Sequence, residues 1–210
     1  MTAHPPKHPI PKLLDQPLTL TSARLVLRPL ELGDAEAIYE VARDPAFPVM
    51  MSWEHHASID ETRAWLAGAI EGVANNTAIH WAMTRDGQLV GTIALLGITW
   101  QSMAWRRDRA EIGYWTVPAH QKSGYATEAV MSVMRFAFED LGLHKLTIGC
   151  LAENVASKRV IEKAGFRFSA RIDEDVWRND RWWSHLRYEL TIGEWSDISS
   201  TLRFSRPRPA

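Results

Sequence analysis

The chain has 210 residues, enough for one sizeable hydrophobic core, and its formal net charge of -1 gives no general attraction to nucleic acid or an anionic membrane. A single cysteine excludes an internal disulfide framework and a cysteine-based zinc site. No apolar run approaches the about 20 residues that span a bilayer, and residues 1–17 hold five prolines with no apolar centre, unlike a secretory signal. A soluble cytoplasmic protein is the expectation.

Proline fixes φ and removes a donor, so residues 1–21 read as an irregular, extended arm. Residues 23–28 alternate as a first strand. Gly33-Asp34 opens a helix through Ile38, Val41 and Ala42, which Asp44-Pro45 stops. Ser58-Ile59-Asp60-Glu61 has the form of a capping box and starts a second helix through Trp65, Leu66, Ala69 and Val73. Residues 78–84 and 88–99 form a hairpin around Arg85-Asp86-Gly87. A strand over 109–117 ends at Pro118. A helix follows with an apolar stripe of Ala126, Ala129, Val130, Val133, Met134, Ala137 and Leu141. After a strand at 145–150, Asn154 caps a helix that carries Ala156, Val160 and Ala164 on one face and stops at Gly165. Strands at 166–173 and 183–190 close an α/β (α+β) domain over residues 22–191. Residues 192–210 form a basic tail with arginines at 203, 206 and 208. A solvated terminus is its expected state, and RNA contact through it the alternative.

The segment His120-Gln121-Lys122-Ser123-Gly124-Tyr125-Ala126-Thr127 joins a strand to a helix. Such a turn gathers unpaired backbone N–H groups at the positive end of the helix dipole, which suits a phosphate or pyrophosphate. Gly124 and Ala126 let an anion approach the backbone. The segment lacks the Gly-Lys-Ser/Thr ending of a Walker A loop and the first two glycines of a dinucleotide fingerprint.

Gln-x-x-Gly-x-Ala at 121–126 resembles the acyl-CoA pyrophosphate loop of the GCN5-related N-acetyltransferases (GNAT). A second segment strengthens the likeness. Asn154-x-x-Ser157, followed by Glu162-Lys163-x-Gly165-Phe166, resembles the closing motif of the same superfamily in its RimJ/RimL-like, ribosomal-protein N-terminal acetyltransferase form. A capped helix with a glycine stop explains the second motif's shape, but not why both motifs occur in family order and at family spacing. The resemblance covers about residues 22–191. It implies the acyl-CoA N-acyltransferase fold: a mixed sheet of about seven strands, parted between the fourth and fifth (109–117 and 145–150), flanked by four helices.

The resemblance further implies acetyl-CoA as co-substrate, with pantetheine pairing like an added strand along Trp115, Thr116 and Val117. Pyrophosphate would rest on the amides of Gln121, Lys122, Ser123, Gly124, Tyr125, Ala126 and Thr127, and Asn154 would hold a pantetheine carbonyl. Glu111 matches the family's general-base position, with a salt bridge to Arg109 or another arginine as its purely structural alternative. The N–H of Val117 is the expected oxyanion donor, and Ser157 places a hydroxyl beside the sulfur. Many members carry a tyrosine general acid where this chain has Ile161, so the proton must come from Ser157 or water, or be dispensed with. Tyr188 is read as core or groove wall. No metal is expected: His55-His56 has no third ligand at helical spacing, and Cys150 reads as a small buried residue.

The resemblance implies an N-acetyltransferase that works by direct attack of a primary amine, since no Cys–His pair suggests a covalent intermediate. Deprotonating a lysine near neutral pH costs roughly 3.5 kcal/mol more than deprotonating an α-amine. A lone glutamate without a tyrosine partner therefore suits a protein or peptide N-terminus. A small-molecule amine is the nearest rival. A succinyl-CoA-type donor would suit Arg106, Arg107 and Arg178, and a catalytically idle acyl-CoA sensor is the reading from another class. Trp53, Trp100, Trp105 and Trp177 are candidates for the acceptor groove, with packing as their alternative. Neither membrane nor nucleic acid is an expected partner. Homodimers occur in the family, although no interface is legible in the sequence.

Overall fold

Strand residues that alternate in polarity form one sheet, and the helices that cover it divide the apolar side chains into two cores. The computed structural model describes residues 10–201. In chain order its elements are β1 (Leu20–Thr21), β2 (Val26–Pro29), α1 (Ala35–Ala42), α2 (Ile59–Ala74), β3 (Ile79–Arg85), β4 (Gln88–Ser102), β5 (Trp105–Thr116), α3 (Tyr125–Arg135), β6 (Lys145–Leu151), α4 (Val155–Lys163), β7 (Arg167–Arg178), β8 (Arg181–Thr191) and α5 (Ile192–Thr201). The sheet runs β1-β2-β3-β4-β5-β6-β8-β7, and β5–β6 is its parallel pair. Eight strands and five helices replace the expected seven and four. The additions are the two-residue β1 and the terminal α5.

The sheet's two faces separate by strand parity. Trp81, Met83, Ile93, Leu95, Ile112, Ile148 and Tyr188 face α3, α4 and α5 in the main core. Ala82 and Trp115, from the opposite positions, join Leu30, Ala35, Ile38, Ala42 and Leu66 under α1 and α2. The α3 stripe is buried as its spacing predicts, at Ala129, Val130, Val133 and Met134 and on through Ala137 and Leu141. A π-helical turn over Phe136–Asp140 ends it. The Ser58 side chain accepts from the Glu61 N–H and caps α2.

Several boundaries differ from the sequence expectation. Residues 23–25 are not strand, because the Ser22 hydroxyl accepts from the Leu25 N–H at 3.1 Å and folds a tight turn between β1 and β2. β5 begins at Trp105, so Arg106 and Arg107 lie in a long β4–β5 hairpin rather than a loop. Residues 192–201 form a helix docked through the buried Trp195, whose ring stacks on Phe138 at 5.9 Å. The arginines of the proposed tail lie outside the described residues, as do residues 1–9 of the arm. Within the arm, Leu13 is fully buried, and its N–H donates to Asn76 Oδ1. No helix among the described residues is long and apolar enough to cross a membrane.

An aromatic series ties the segment between α1 and α2 to the sheet: Phe47–Trp53 (5.9 Å), Trp53–His56 (5.6 Å), His56–Trp65 (6.3 Å) and Trp65–His80 (5.7 Å). Burial lowers the His80 imidazole to about 4. Its ordinary value is 6.5, so as pH falls from 6.5 toward 4 the unfolded chain takes the proton first and stability drops. This group alone is expected to remove about 2 kcal/mol between pH 7 and pH 5. Urea midpoints at the two pH values check it: His80→Gln should lose most of the acid sensitivity, and an equally acid-sensitive variant would contradict the assignment.

Candidate active site

β5 and β6 are paired only from Arg109↔Lys145 to Ile112↔Ile148. Beyond that point β5 stays with β4, through Gly113↔Ala94 to Thr116↔Gly91, while β6 stays with β8, through Gly149↔Arg187 to Leu151↔His185. The strands therefore part and leave an open inner edge on β5. The Val117 N–H donates to the Val90 carbonyl at 2.9 Å. By antiparallel alternation Trp115 and Gly113 also turn their backbone groups toward β4, and those of Tyr114 and Thr116 face the opening. This corrects two expectations. Val117 has no free N–H for an oxyanion, and the edge available to pantetheine is Tyr114 and Thr116, not Trp115 and Val117. The Trp115 ring is buried in the second core, edge-on to Phe47. Gln121 Nε2 lies 3.4 Å from the Thr116 carbonyl.

At the mouth of the opening, Pro118–His120 form a single 3₁₀ turn, and Gly124 (φ 82°) sets the chain into α3. Lys122 also holds a left-handed conformation at φ 60°. The first intrahelical bond is Glu128 N–H to the Gly124 carbonyl, and no side chain caps this end, so the amides from Gly124 to Thr127 are free for an anion. Gln121, Lys122, Ser123 and Gly124 are exposed, Ala126 and Thr127 are half-buried, and the Tyr125 ring is buried.

Two arginines that sequence reasoning missed support the turn. Arg24 donates to Glu128 through Nε (2.7 Å) and its backbone N–H (2.8 Å), and to the Ser123 carbonyl through Nη1 (3.0 Å). Its guanidinium lies 4.8 Å from the Tyr125 ring centre, and Arg85 donates to the Tyr125 hydroxyl. Burial would raise the Glu128 carboxyl, but hydrogen bonds from Ser22 and Arg24 outweigh it and hold the group below its ordinary value.

The opposite wall is the first turn of α4. Asn154 caps it, its Oδ1 accepting from the Ser157 N–H at 3.0 Å, which leaves Nδ2 without a partner among the described residues. Ser157 Oγ lies 2.9 Å from the Tyr114 hydroxyl, which reaches across from β5. Burial pushes the Tyr114 phenol up to about 12, so it stays a neutral hydrogen-bonding group. Cys150 is buried and its thiol is raised by burial, partly offset by a hydrogen bond with Ser157. Ile161 is fully buried, and Tyr188 is buried in the main core, with the exposed Phe168 edge-on to its ring. The family tyrosine's place is thus filled by core, while a different tyrosine, from β5, reaches Ser157.

Glu111 projects from the β5 face that carries Trp115, at the base of the opening. Its carboxylate has no hydrogen bond or ion pair among the described residues, so the Arg109 salt bridge is not formed. It lines a depression of ≈ 390 Å³ with Arg109, Thr147 and Arg187, among others. The four tryptophans do not converge. Trp100 is buried in the main core, which removes it from the groove, and Trp53 packs between Phe47 and His56. Trp105 and Trp177 are exposed, the latter edge-on to Trp182 at 5.5 Å. Arg178 pins the β7–β8 tip to the loop before α2, donating to the Met51 carbonyl (2.9 Å) and Glu54 (3.2 Å). Arg106 pairs with Asp108 at 2.6 Å.

Residues 24–167 match the acetyltransferase (GNAT) domain family. The uncharacterized N-acetyltransferase YoaA of Bacillus subtilis is 32% identical over 168 residues, covering 76% of this chain and 89% of YoaA. The coenzyme A complex of RimL, the ribosomal L7/L12 alpha-N-protein acetyltransferase, superposes with a TM-score of 0.76 at 19% identity, over 84% of this chain and 99% of RimL. The spermidine N-acetyltransferase of Vibrio cholerae, bound to CoA and spermine, gives 0.73 at 22% identity, over 83% and 99%. With its parted strands, its uncapped helix turn and this match across most of its length, the chain belongs to the GNAT family of acetyl-CoA-dependent acetyltransferases.

Proposed function

We propose that the protein acetylates the α-amine at a protein or peptide N-terminus, using acetyl-CoA by direct attack. The observation that carries this reading is the unpartnered Glu111 carboxylate at the point where β5 and β6 separate. A base held there meets an amine entering from the polar face and a thioester lying along Tyr114 and Thr116. The amides of 124–127, with Lys122 nearby, suit the pyrophosphate, and Asn154 Nδ2 suits a pantetheine carbonyl. Ser157, hydrogen-bonded to Tyr114, is the donor for the departing thiolate.

Charge balance favours an N-terminus over a polyamine or aminoglycoside. Apart from Glu111, the carboxylates on the acceptor face are compensated: Glu189 by Lys145 and Arg167, Asp175 by Arg187. A polycation would need more than one uncompensated acid. RimL's activity on a protein α-amine accords with this, whereas the spermidine enzyme shares the fold, so fold alone does not choose the acceptor. Of the three arginines that would suit a succinyl-CoA-type donor, Arg106 and Arg178 are engaged by Asp108 and Glu54, while Arg107 lies against the Trp105 ring without an ion pair among the described residues.

Thiol release from acetyl-CoA, measured with free and N-blocked peptides and with polyamines, tests the reading. Turnover is expected with free N-termini and not with the same peptides blocked. Turnover confined to polyamines, or binding without turnover, would overturn it. Glu111→Gln should lower kcat by roughly 100-fold or more while leaving acetyl-CoA affinity unchanged. Tyr114→Phe should lower kcat by about tenfold, equivalent to one hydrogen bond of about 1–1.5 kcal/mol, with little change in KM for acetyl-CoA. An unchanged kcat would remove Tyr114 from the thiolate side.

A further inference from the structure

The acceptor side of the parted strands also carries an imidazole. His185 lies on β8, opposite Leu151 of β6 and Ile172 of β7. Its ring rests on the backbone of Gly149, where an added Cβ would stand 2.6 Å from Nε2 and 2.8 Å from Cε1. Gly149 is the first residue of β6 beyond the last pair with β5, so Nε2 sits where the cleft opens. His185 and Glu111 line the same depression, of ≈ 180 Å³.

The other ring nitrogen is held by a carboxylate that only a strand irregularity can deliver. Nδ1 lies 3.3 Å from Asp175 Oδ2. The β7–β8 register passes from Ile172↔His185 directly to Val176↔Trp183, so Asp173, Glu174 and Asp175 stand opposite Ser184 alone. Glu174 takes a left-handed φ of 50°, uncommon for a residue with a side chain. A bulge of this kind bends the strand and re-aims its side chains. Here Asp173 goes to Arg171 (2.6 Å) and Ser184 (3.1 Å), and Asp175 to His185, with Arg187 3.9 Å from the same oxygen. A carboxylate on Nδ1 selects the Nδ1–H tautomer and leaves the Nε2 lone pair to accept a proton.

We propose that His185, oriented by Asp175, removes the first proton from the incoming ammonium group. The assignment rests on the acyl-transfer reading above. An α-ammonium R–NH₃⁺ must lose one proton before its lone pair can attack the thioester carbon. After the C–N bond forms and the C–S bond breaks, the nitrogen loses a second. His185 Nε2 takes the first and returns it to solvent; Glu111 takes the second, and the leaving thiolate gains one proton. The sum is R–NH₃⁺ plus acetyl-CoA giving the amide, the free thiol and one proton released. Asp175 and Arg187 bear on the imidazole directly, while Glu111 and Arg109 from β5, Lys145 from β6 and Glu189 from β8 share its depression.

The test is kcat/KM for a free N-terminal peptide from pH 6 to 9.5, in the full-length protein and in His185→Gln and Asp175→Asn variants. His185→Gln is expected to lose roughly 100-fold at pH 6.5. The deficit should shrink as the medium deprotonates the amine above its ordinary 7.7–8.0. Asp175→Asn should show a smaller loss with the same pH trend, and it carries the test if the first variant does not fold. Acetyl-CoA affinity should be unchanged in both. An equal loss at every pH, or none, overturns the proposal and leaves the acyl-transfer reading intact. Wild-type protein that binds acetyl-CoA and turns over no amine overturns both.

Discussion

The site depends on a break in backbone pairing. A strand inside a sheet satisfies its N–H and C=O groups on both sides, and leaving them bare in a partly buried place is costly. β5 meets that requirement on one side only from Gly113 onward, because β6 leaves it to follow β8. Apart from the Thr116 carbonyl, which Gln121 Nε2 approaches at 3.4 Å, the inner backbone groups of Tyr114 and Thr116 are therefore open to an extended ligand that carries amides of its own. Pantetheine is such a ligand. In the proposed reading the phosphates beyond it would fall at the uncapped end of α3, a few residues further along the same chain, so that strand edge and helix end would address one molecule in sequence.

The opening is braced from both flanks by contacts distant in sequence. On one side Arg24 bonds to Glu128 and to the Ser123 carbonyl, so the turn is fastened to the start of the fold. On the other, the Tyr114 phenol spans from β5 to Ser157 on α4. Such contacts make the cleft a fixed feature, so a bound thioester meets donors already in place, the arrangement from which electrostatic catalysis draws most of its effect. The polar face beyond it, with Glu111 and His185, is left free of the apolar packing that fills the rest of the sheet.

Much of this was legible in the residues themselves. The apolar stripe from Ala129 to Leu141, the Ser58 cap and the Asn154 cap follow from local rules of periodicity and hydrogen bonding, and each element stands where those rules place it. The two motifs at 121–126 and 154–166 fall on the uncapped turn before α3 and on the facing helix α4. The remainder depended on long-range pairing, which no local pattern encodes. Arg24 and Glu128 are 104 positions apart. Which backbone groups of β5 face the cleft depends on its register with β4, and a one-residue difference exchanges Trp115 for Tyr114. Trp100 and Trp105 look alike in sequence, yet strand parity and position bury one and expose the other. The bulge at 173–175 gives no signal beyond a run of acidic residues, and α5 was obscured by the arginines that follow it.

Amide hydrogen exchange, read residue by residue with and without acetyl-CoA, tests the central claim most directly. If an extended thioester lies along the open strand edge with its phosphates on the helix end, the Tyr114 and Thr116 amides and those of 124–127 should slow together on adding acetyl-CoA, while Val117, already bonded to Val90, should not change. Protection that appears elsewhere, or that spares Tyr114 and Thr116 while the ligand is bound, would contradict the account.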